Sequence, residues 1–473
     1  MLKLADIVEA MTGRYPTWGA VEISGAVVDS RQAESCSLFV ALRGEKLDGH
    51  DFVQDAFSRG AKLALIDREV EADCTQLDLR GKRFPVVDAN PAQPLCLLVD
   101  DSLKALQKIA AHWRSKLDLR VIGITGSVGK STTKEVVASV LGQRYRVVKN
   151  SGNLNNEIGL PLSILRLDET TERAVLEMGL YVPGEIAFLC GIAKPHVGVV
   201  TNVGMVHAER AGSQEAIAKG KAELVQALPP APEGVAILNI DDPWVRKMAE
   251  GIAAQVFFYG LNPEADLWAD DVESLGLEGI RFRLHYRNET VYLRVPMIGR
   301  HSVHTALRAA AVGLVEDLTW QEIVSGLRSP HTQLRLVTVR AKNGALMLDD
   351  TYNASPQSML AALNLLNEMN GRKVAVLGDM LELGPYEKTA HRMVGVRAAE
   401  VADKLVTIGK LGKIIASAAR DFGFPRSAIS AFDDNRSAID YLTACLHEGD
   451  VVLIKGSRGM HMEEIVAALE ENS

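Results

Sequence analysis

Short, uninterrupted apolar runs alternate along this chain with stretches whose apolar residues recur every three or four positions, and that alternation predicts an α/β protein. Runs at Leu119–Ile124, Ala174–Glu177, Val197–Asn202 and Val235–Asn239 read as strands separated by helices, the pattern of a parallel sheet wrapped on both faces. Directly after the first of them, Val136, Val137, Val140 and Leu141 fall at helical spacing. Farther on, Ile280–His285 and Thr290–Val295 read as a two-strand excursion before a helix that starts near Ser302.

Both flanks carry similar but separate patterns. Upstream lie strands at Gly25–Asp29 and Ser37–Ala41, a helix near Phe52–Ser58 and a closing strand at Phe84–Val87. A Pro-marked break at Asn90–Pro94 follows, and a helix from about Ser102 to Leu117 then leads into the centre. Downstream of Ser329-Pro330, runs at Ala345–Leu348, Val374–Leu377, Lys404–Ile408 and Val451–Ile454 predict a second, smaller doubly wound sheet. The expected architecture is three domains: a small N-terminal α/β domain over 1–97, a central parallel-sheet domain over 98–328 and a Rossmann-like domain over 329–473. A length of 473 residues agrees, since cores stop growing well below it.

Composition narrows the class. With 47% hydrophobic and 24% charged residues the chain is neither disordered nor fibrous, and no apolar run approaches the ~20 residues of a membrane helix. Met1–Met11 carries Asp6 and Glu9 within its apolar stretch, which points to an amphipathic helix rather than a secretory signal. Cys36, Cys74, Cys96, Cys190 and Cys445 are scattered and never form a C-x-x-C pair, so a reduced, cytoplasmic setting is expected. A net charge of −8 disfavours nucleic acid as a partner and requires locally placed cations for any anionic substrate.

Those cations appear where the first central strand ends. Thr125-Gly126-Ser127-Val128-Gly129-Lys130-Ser131-Thr132 is a phosphate loop: two glycines let the backbone turn its N–H groups toward an anion, Lys130 supplies charge and Ser131 a hydroxyl for Mg²⁺. The usual first glycine of such loops falls at Ile124 here. Glu177, at the next strand end, stands where a carboxylate can reach the same cation, and His207 past a third strand end is a candidate nitrogen ligand. Asn153, Asn155 and Asn156 form either a polar turn or a set of neutral donors for phosphate or substrate. In the last domain Asp349-Asp350-Thr351-Tyr352-Asn353 precedes a helix that Ser355 caps, and Lys455 and Arg458 follow the final strand as cations able to clamp a carboxylate or phosphate.

Taken together, these segments resemble the Mur ligases, the ATP-dependent ligases of peptidoglycan synthesis. That family's phosphate loop reads T-G-[ST]-x-G-K-[ST]-[ST], without a glycine at the position of Ile124. The likeness spans the chain: Asp29-Ser30-Arg31, Leu38-Phe39 and Asp48-Gly49-His50; then the loop, the asparagines, Glu177 and His207; then Arg335, Asp350–Asn353, Leu377–Gly384 and Lys455–Arg458. Within the family, Asp349–Met359 is similar to D-D-x-Y-N-A-N-P-x-S-M, with Ser355 for the second asparagine, a pattern of the member that joins D-alanyl-D-alanine to UDP-N-acetylmuramoyl-tripeptide. The D-N-P-R signature of the ligase adding the third peptide residue is missing, Asp434-Asn435-Arg436 lacking the proline.

The resemblance implies ATP and Mg²⁺ as cofactors and an acyl phosphate route to an amide. It gives Lys130 the β,γ-phosphates, Ser131, Glu177 and His207 the metal, and Arg335, Asp350 and Asn353 a reach to the nucleotide after domain closure. Ser30 and Arg31 would hold the UDP-sugar, and Lys455 and Arg458 the dipeptide. Lys219 matches a lysine carbamylated in several members, against the plain alternative of a helix-surface lysine. The family segment G-x-H-N-x-x-N appears as Gly299–Thr305 with both asparagines replaced, which implies either that Ser302 or Thr305 meets adenine or that nucleotide selectivity is weaker than usual. The expected partners are the two small-molecule substrates, with no nucleic acid, no membrane insertion and a monomeric chain. Alternatives are the third-residue ligase, a folylpolyglutamate-synthase-like ligase, or a phosphate-loop switch, though no N-K-x-D motif is present.

Overall fold

The computed structural model describes residues 1–44, 46–81, 93–204, 213–329 and 337–471. Three sheets follow one another along the chain. The first is parallel throughout: Ala26–Val27 (β1), Leu38–Val40 (β2), Leu63–Ile66 (β3), Thr75–Asp78 (β4) and Leu95–Leu98 (β5), in the order β1-β2-β3-β5-β4. β3 and β5 are buried at every position, as strands covered on both faces must be. The expected closing strand at Phe84–Val87 lies outside the described residues, as does most of the break after it.

The central sheet has nine strands: Arg120–Thr125 (β6), Val147–Lys149 (β7), Arg173–Glu177 (β8), Val197–Val200 (β9), Val235–Asn239 (β10), Gln255–Gly260 (β11), Leu267–Ser274 (β12), Ile280–Tyr286 (β13) and Glu289–Val295 (β14). Their order is β14-β13-β12-β11-β10-β9-β6-β8-β7, parallel up to β12, after which β13 and β14 double back antiparallel. The expected two-strand excursion is therefore an extension of the main sheet. β6 lies between β8 and β9, so the chain leaves it first to one side and later to the other. The crevice beyond its carboxyl end is the place where such sheets take ligands.

The third sheet contains Val337–Arg340 (β15), Leu346–Asp349 (β16), Arg372–Leu377 (β17), Lys404–Ile408 (β18), Ile429–Phe432 (β19) and Asp450–Lys455 (β20). The order β15-β16-β20-β17-β18-β19 is parallel except for the antiparallel edge strand β15.

Helices join the layers. Asp101 caps Ser102–Lys116, whose Leu106, Ile109, Ala110 and Trp113 face inward and belong to one apolar cluster that includes Leu97 of the first sheet and Leu176 of the central one. Arg114 on this helix is buried and gives its guanidinium to the carbonyls of Ala193, Leu117 and Leu119 at 2.9–3.1 Å. The first two units thus share a core. The third keeps its own on either face of its sheet, with Ile298 of the central unit packed against one of them. No described helix is long and apolar enough to cross a membrane.

Candidate active site

The phosphate loop is built by close approach of backbones. Gly126, at φ 145°, passes so near β9 that a β-carbon there would stand 1.8 Å from Thr201 Oγ1. Gly129 is left-handed at φ 83° and opens the helix Lys130–Leu141, so only glycine turns the chain at both points without strain. The segment after β9 braces the loop. Val128 N donates to Asn202 Oδ1 at 3.0 Å and Ser127 N to Asn202 O at 3.0 Å, while the Ser127 hydroxyl bridges Gly204 in both directions. Thr125 is buried, with its hydroxyl on the Met178 carbonyl, and Thr132 is half-buried in the first helical turn. Lys130 Nζ folds back onto the Gly126 carbonyl at 2.8 Å, within the loop it is expected to serve.

At the end of β8, Glu177 is almost wholly buried and faces this loop. Its Oε2 accepts from Ser131 Oγ at 2.6 Å and its Oε1 from Asn155 Nδ2 at 2.9 Å, while Asn150 holds its backbone on both sides. The buried ammonium of Lys134 lies 3.9 Å from the same carboxylate and donates to the Asn150 carbonyl at 2.7 Å. A hydroxyl and a carboxylate oxygen side by side next to a phosphate loop are hard donors of the kind Mg²⁺ takes. Among the described residues no group of three or more His, Cys, Asp or Glu gathers as a metal site, and His207 falls outside them. Asn156 turns its Oδ1 to the backbone N–H groups of Ile158 and Gly159, a local role that the turn reading anticipates.

Two lysines on the helix Gln214–Gln226 lie in opposite environments. Lys219 is exposed, whereas Lys221 is buried beside Lys130. Burial first, and the like charge of Lys130 second, hold the Lys221 ammonium well below its usual range. The helical period contains the missed signal. Ile217, Lys221 and Leu224 share one face, and Lys219 points away from it. Lys134, one turn past Lys130, is a buried cation that the loop pattern does not reveal.

The third unit brings an acidic loop to the boundary. Lys455 is buried and not available as a clamp: its Nζ meets Asp350 Oδ2 at 2.7 Å and the Asn353 carbonyl at 2.8 Å, so it fixes the Asp350–Asn353 loop. Of the two expected cations only Arg458 is exposed, over the Tyr352 ring. Ser355 caps the helix Pro356–Glu368, as its sequence context predicts. Asp379 is likewise internal, with its Oδ1 taking the N–H groups of Leu411 and Gly412 at 3.0 and 2.7 Å. Arg335 lies outside the described residues. In the first unit, Ser30 is buried next to Asp55, and exposed Arg31 forks onto Asp29.

A phosphate loop with a carboxylate set against its hydroxyl, flanked by two further α/β units, defines a three-unit nucleotide-binding protein. The units match, in chain order, the models "Mur ligase family, catalytic domain" over 22–114, "Mur ligase middle domain" over 124–313 and "Mur ligase, glutamate ligase domain" over 334–458. The chain belongs to the Mur ligase family. It is 38% identical to the UDP-N-acetylmuramoyl-tripeptide–D-alanyl-D-alanine ligase of Bacillus subtilis (strain 168), over 99% of this chain and 98% of that one. Among solved structures, MurF from Acinetobacter baumannii superposes with a TM-score of 0.83 at 30% identity, covering 99% of this chain and 98% of the other. MurF ligase from Thermotoga maritima in complex with ADP gives 0.76 at 28% identity, with 97% of each chain covered.

Proposed function

We propose that this protein is the ATP-dependent ligase that joins D-alanyl-D-alanine to UDP-N-acetylmuramoyl-tripeptide in the cytoplasm, an ADP-forming step of peptidoglycan precursor synthesis. The observation that carries the reading is end-to-end likeness to such a ligase at 38% identity, because all three units are covered and not the phosphate loop alone. The Asp349–Met359 pattern and the missing D-N-P-R signature agree with it.

The chemistry follows from charge. A tripeptide carboxylate must attack the γ-phosphorus of ATP, anion against anion, giving an acyl phosphate and ADP. The dipeptide amine then adds to the acyl carbon, and the tetrahedral intermediate collapses to the amide with loss of inorganic phosphate. Neutralising phosphate charge is the main lever. Lys130 leaves its loop carbonyls for the β,γ-phosphates, and loop N–H groups take the rest. Ser131 and Glu177 are the residues that would hold Mg²⁺, which supplies further charge neutralisation when bound. Asn155 and Lys134 keep the Glu177 carboxylate oriented. We assign to Lys221 the carbamylation expected of Lys219, since burial lowers the pKa of its amine and the neutral amine is the form that adds carbon dioxide. Ser30 and Arg31 in the first unit and Arg458 in the third are the proposed contacts for the UDP-sugar and the dipeptide carboxylate.

The test is substrate dependence. ADP release should require ATP, Mg²⁺, UDP-N-acetylmuramoyl-tripeptide and D-alanyl-D-alanine together. Release with the UDP-dipeptide and a single amino acid, and none with D-alanyl-D-alanine, would establish the third-residue ligase instead. Turnover without any acceptor would make the protein a nucleotide switch.

A further inference from the structure

The helix Val303–Val315 packs along the phosphate-loop helix and carries a guanidinium that the reaction as described leaves unused. Arg308 is 4% exposed. Its Nη2 donates to Thr305 Oγ1 at 2.8 Å and its Nη1 to the Tyr259 hydroxyl at 3.4 Å. Its Nε is buried with no hydrogen-bond partner, and among the described residues no carboxylate pairs with it. Arginine stays charged at any working pH, and a buried charge without a counter-ion is costly unless something anionic arrives.

Its position says where that anion sits. A β-carbon on Gly129 would be 3.3 Å from Arg308 Nη2, so the fork lies against the residue that opens the loop helix. The same stretch explains the two lost asparagines. Ser302 turns its hydroxyl to the Ile298 carbonyl at 2.7 Å, and Thr305 accepts from Arg308, so neither acts as an amide toward a base.

We propose that Arg308 binds the phosphate chain of the nucleotide from the Val303–Val315 side of the loop, as a partner to Lys130. This rests on nucleotide binding at the loop. Tyr259 and Thr305 are its positioning residues: they hold the fork toward Gly129 and leave the remaining N–H groups for phosphate oxygens.

Calorimetric titration of the full chain with ADP, and separately with adenosine, tests it. Arg308→Gln should weaken ADP by about tenfold or more, while adenosine changes less than about twofold. Thr305→Val, which removes only the hydroxyl aiming Nη2, should weaken ADP by about three- to tenfold with adenosine unchanged. It decides the matter should the Gln variant fail to fold. Wild-type ADP affinity in either folded variant, or equal losses for ADP and adenosine, would overturn the proposal. Lys130→Ala runs alongside: if it keeps full ADP affinity, the nucleotide is not on this loop, and the fault lies with the site assignment and not with Arg308.

Discussion

Lys219 and Lys221 are two residues apart and nearly opposite on one helix, and their environments dictate opposite outcomes. Lys219→Ala alters an exposed side chain and should leave turnover within about twofold. Lys221→Ala should abolish ADP release and, if its carbamate is the working group, regain activity with millimolar short-chain carboxylates; recovery by Lys219→Ala alone would reverse the assignment. His304 makes a separate prediction. Burial, then Arg308, lower its pKa to about 4, against Asp241 at 3.8 Å. Between pH 6.5 and about 4 the unfolded chain therefore binds a proton that the folded chain does not, so stability falls with falling pH across that window. The total loss is up to about 3 kcal/mol, and urea unfolding of His304→Gln should show a shallower acid decline than the wild type. Legibility at this scale followed the strand ends. Glu177 could be found because it terminates an apolar run beside a recognisable loop, whereas Lys221 is distinguished from Lys219 only by which face of its helix is buried. Lys455 misled because a cation after a strand reads as a ligand clamp, and nothing in its own segment reveals the Asp350 partner 105 positions away.

Elements joined by short backbone approach are the least tolerant part of the molecule. Gly126 has no room for a side chain because Thr201, just past β9, presents its hydroxyl where the β-carbon would go, and its φ of 145° is unfavourable for other residues. Gly126→Ala should displace the loop from the Asn202 brace, weaken ADP binding by about a hundredfold and lower the unfolding midpoint by several degrees. Calorimetry and thermal melts read both, and an unchanged Kd would show that the loop can relax outward at no loss. The long apolar runs of the central sheet were visible because strands covered on both faces must be apolar throughout. β3 and β5 have that same character, but each is only four residues long and stands out less. β7, β11 and β19 are short or half-exposed, so no sustained apolar run marks them along the chain.

At the scale of the whole molecule, the first two units move as one body if their shared core holds, and the boundary that can work is between the second and third. Two contacts mark it among the described residues. Ile298 packs on the third unit's core, and the Gln357 side chain lies within 2.6–2.8 Å of where a β-carbon on Gly204 would stand, next to the segment that braces the phosphate loop. Nucleotide and dipeptide sites lie on opposite sides of this seam in the proposed reaction, and the acyl phosphate must be shielded from water while the amine arrives. Ile298→Asp places a carboxylate against apolar side chains without touching the loop, Glu177 or Lys221. It should leave ADP affinity within about threefold but cut ligation by about tenfold or more, and raise the share of ATP hydrolysed without amide formation, because a loosened seam admits water. The ratio of ADP released to peptide formed measures this directly. A ratio that stays at the wild-type value while the rate falls would place the role of Ile298 in the stability of the third unit and not in closing the seam.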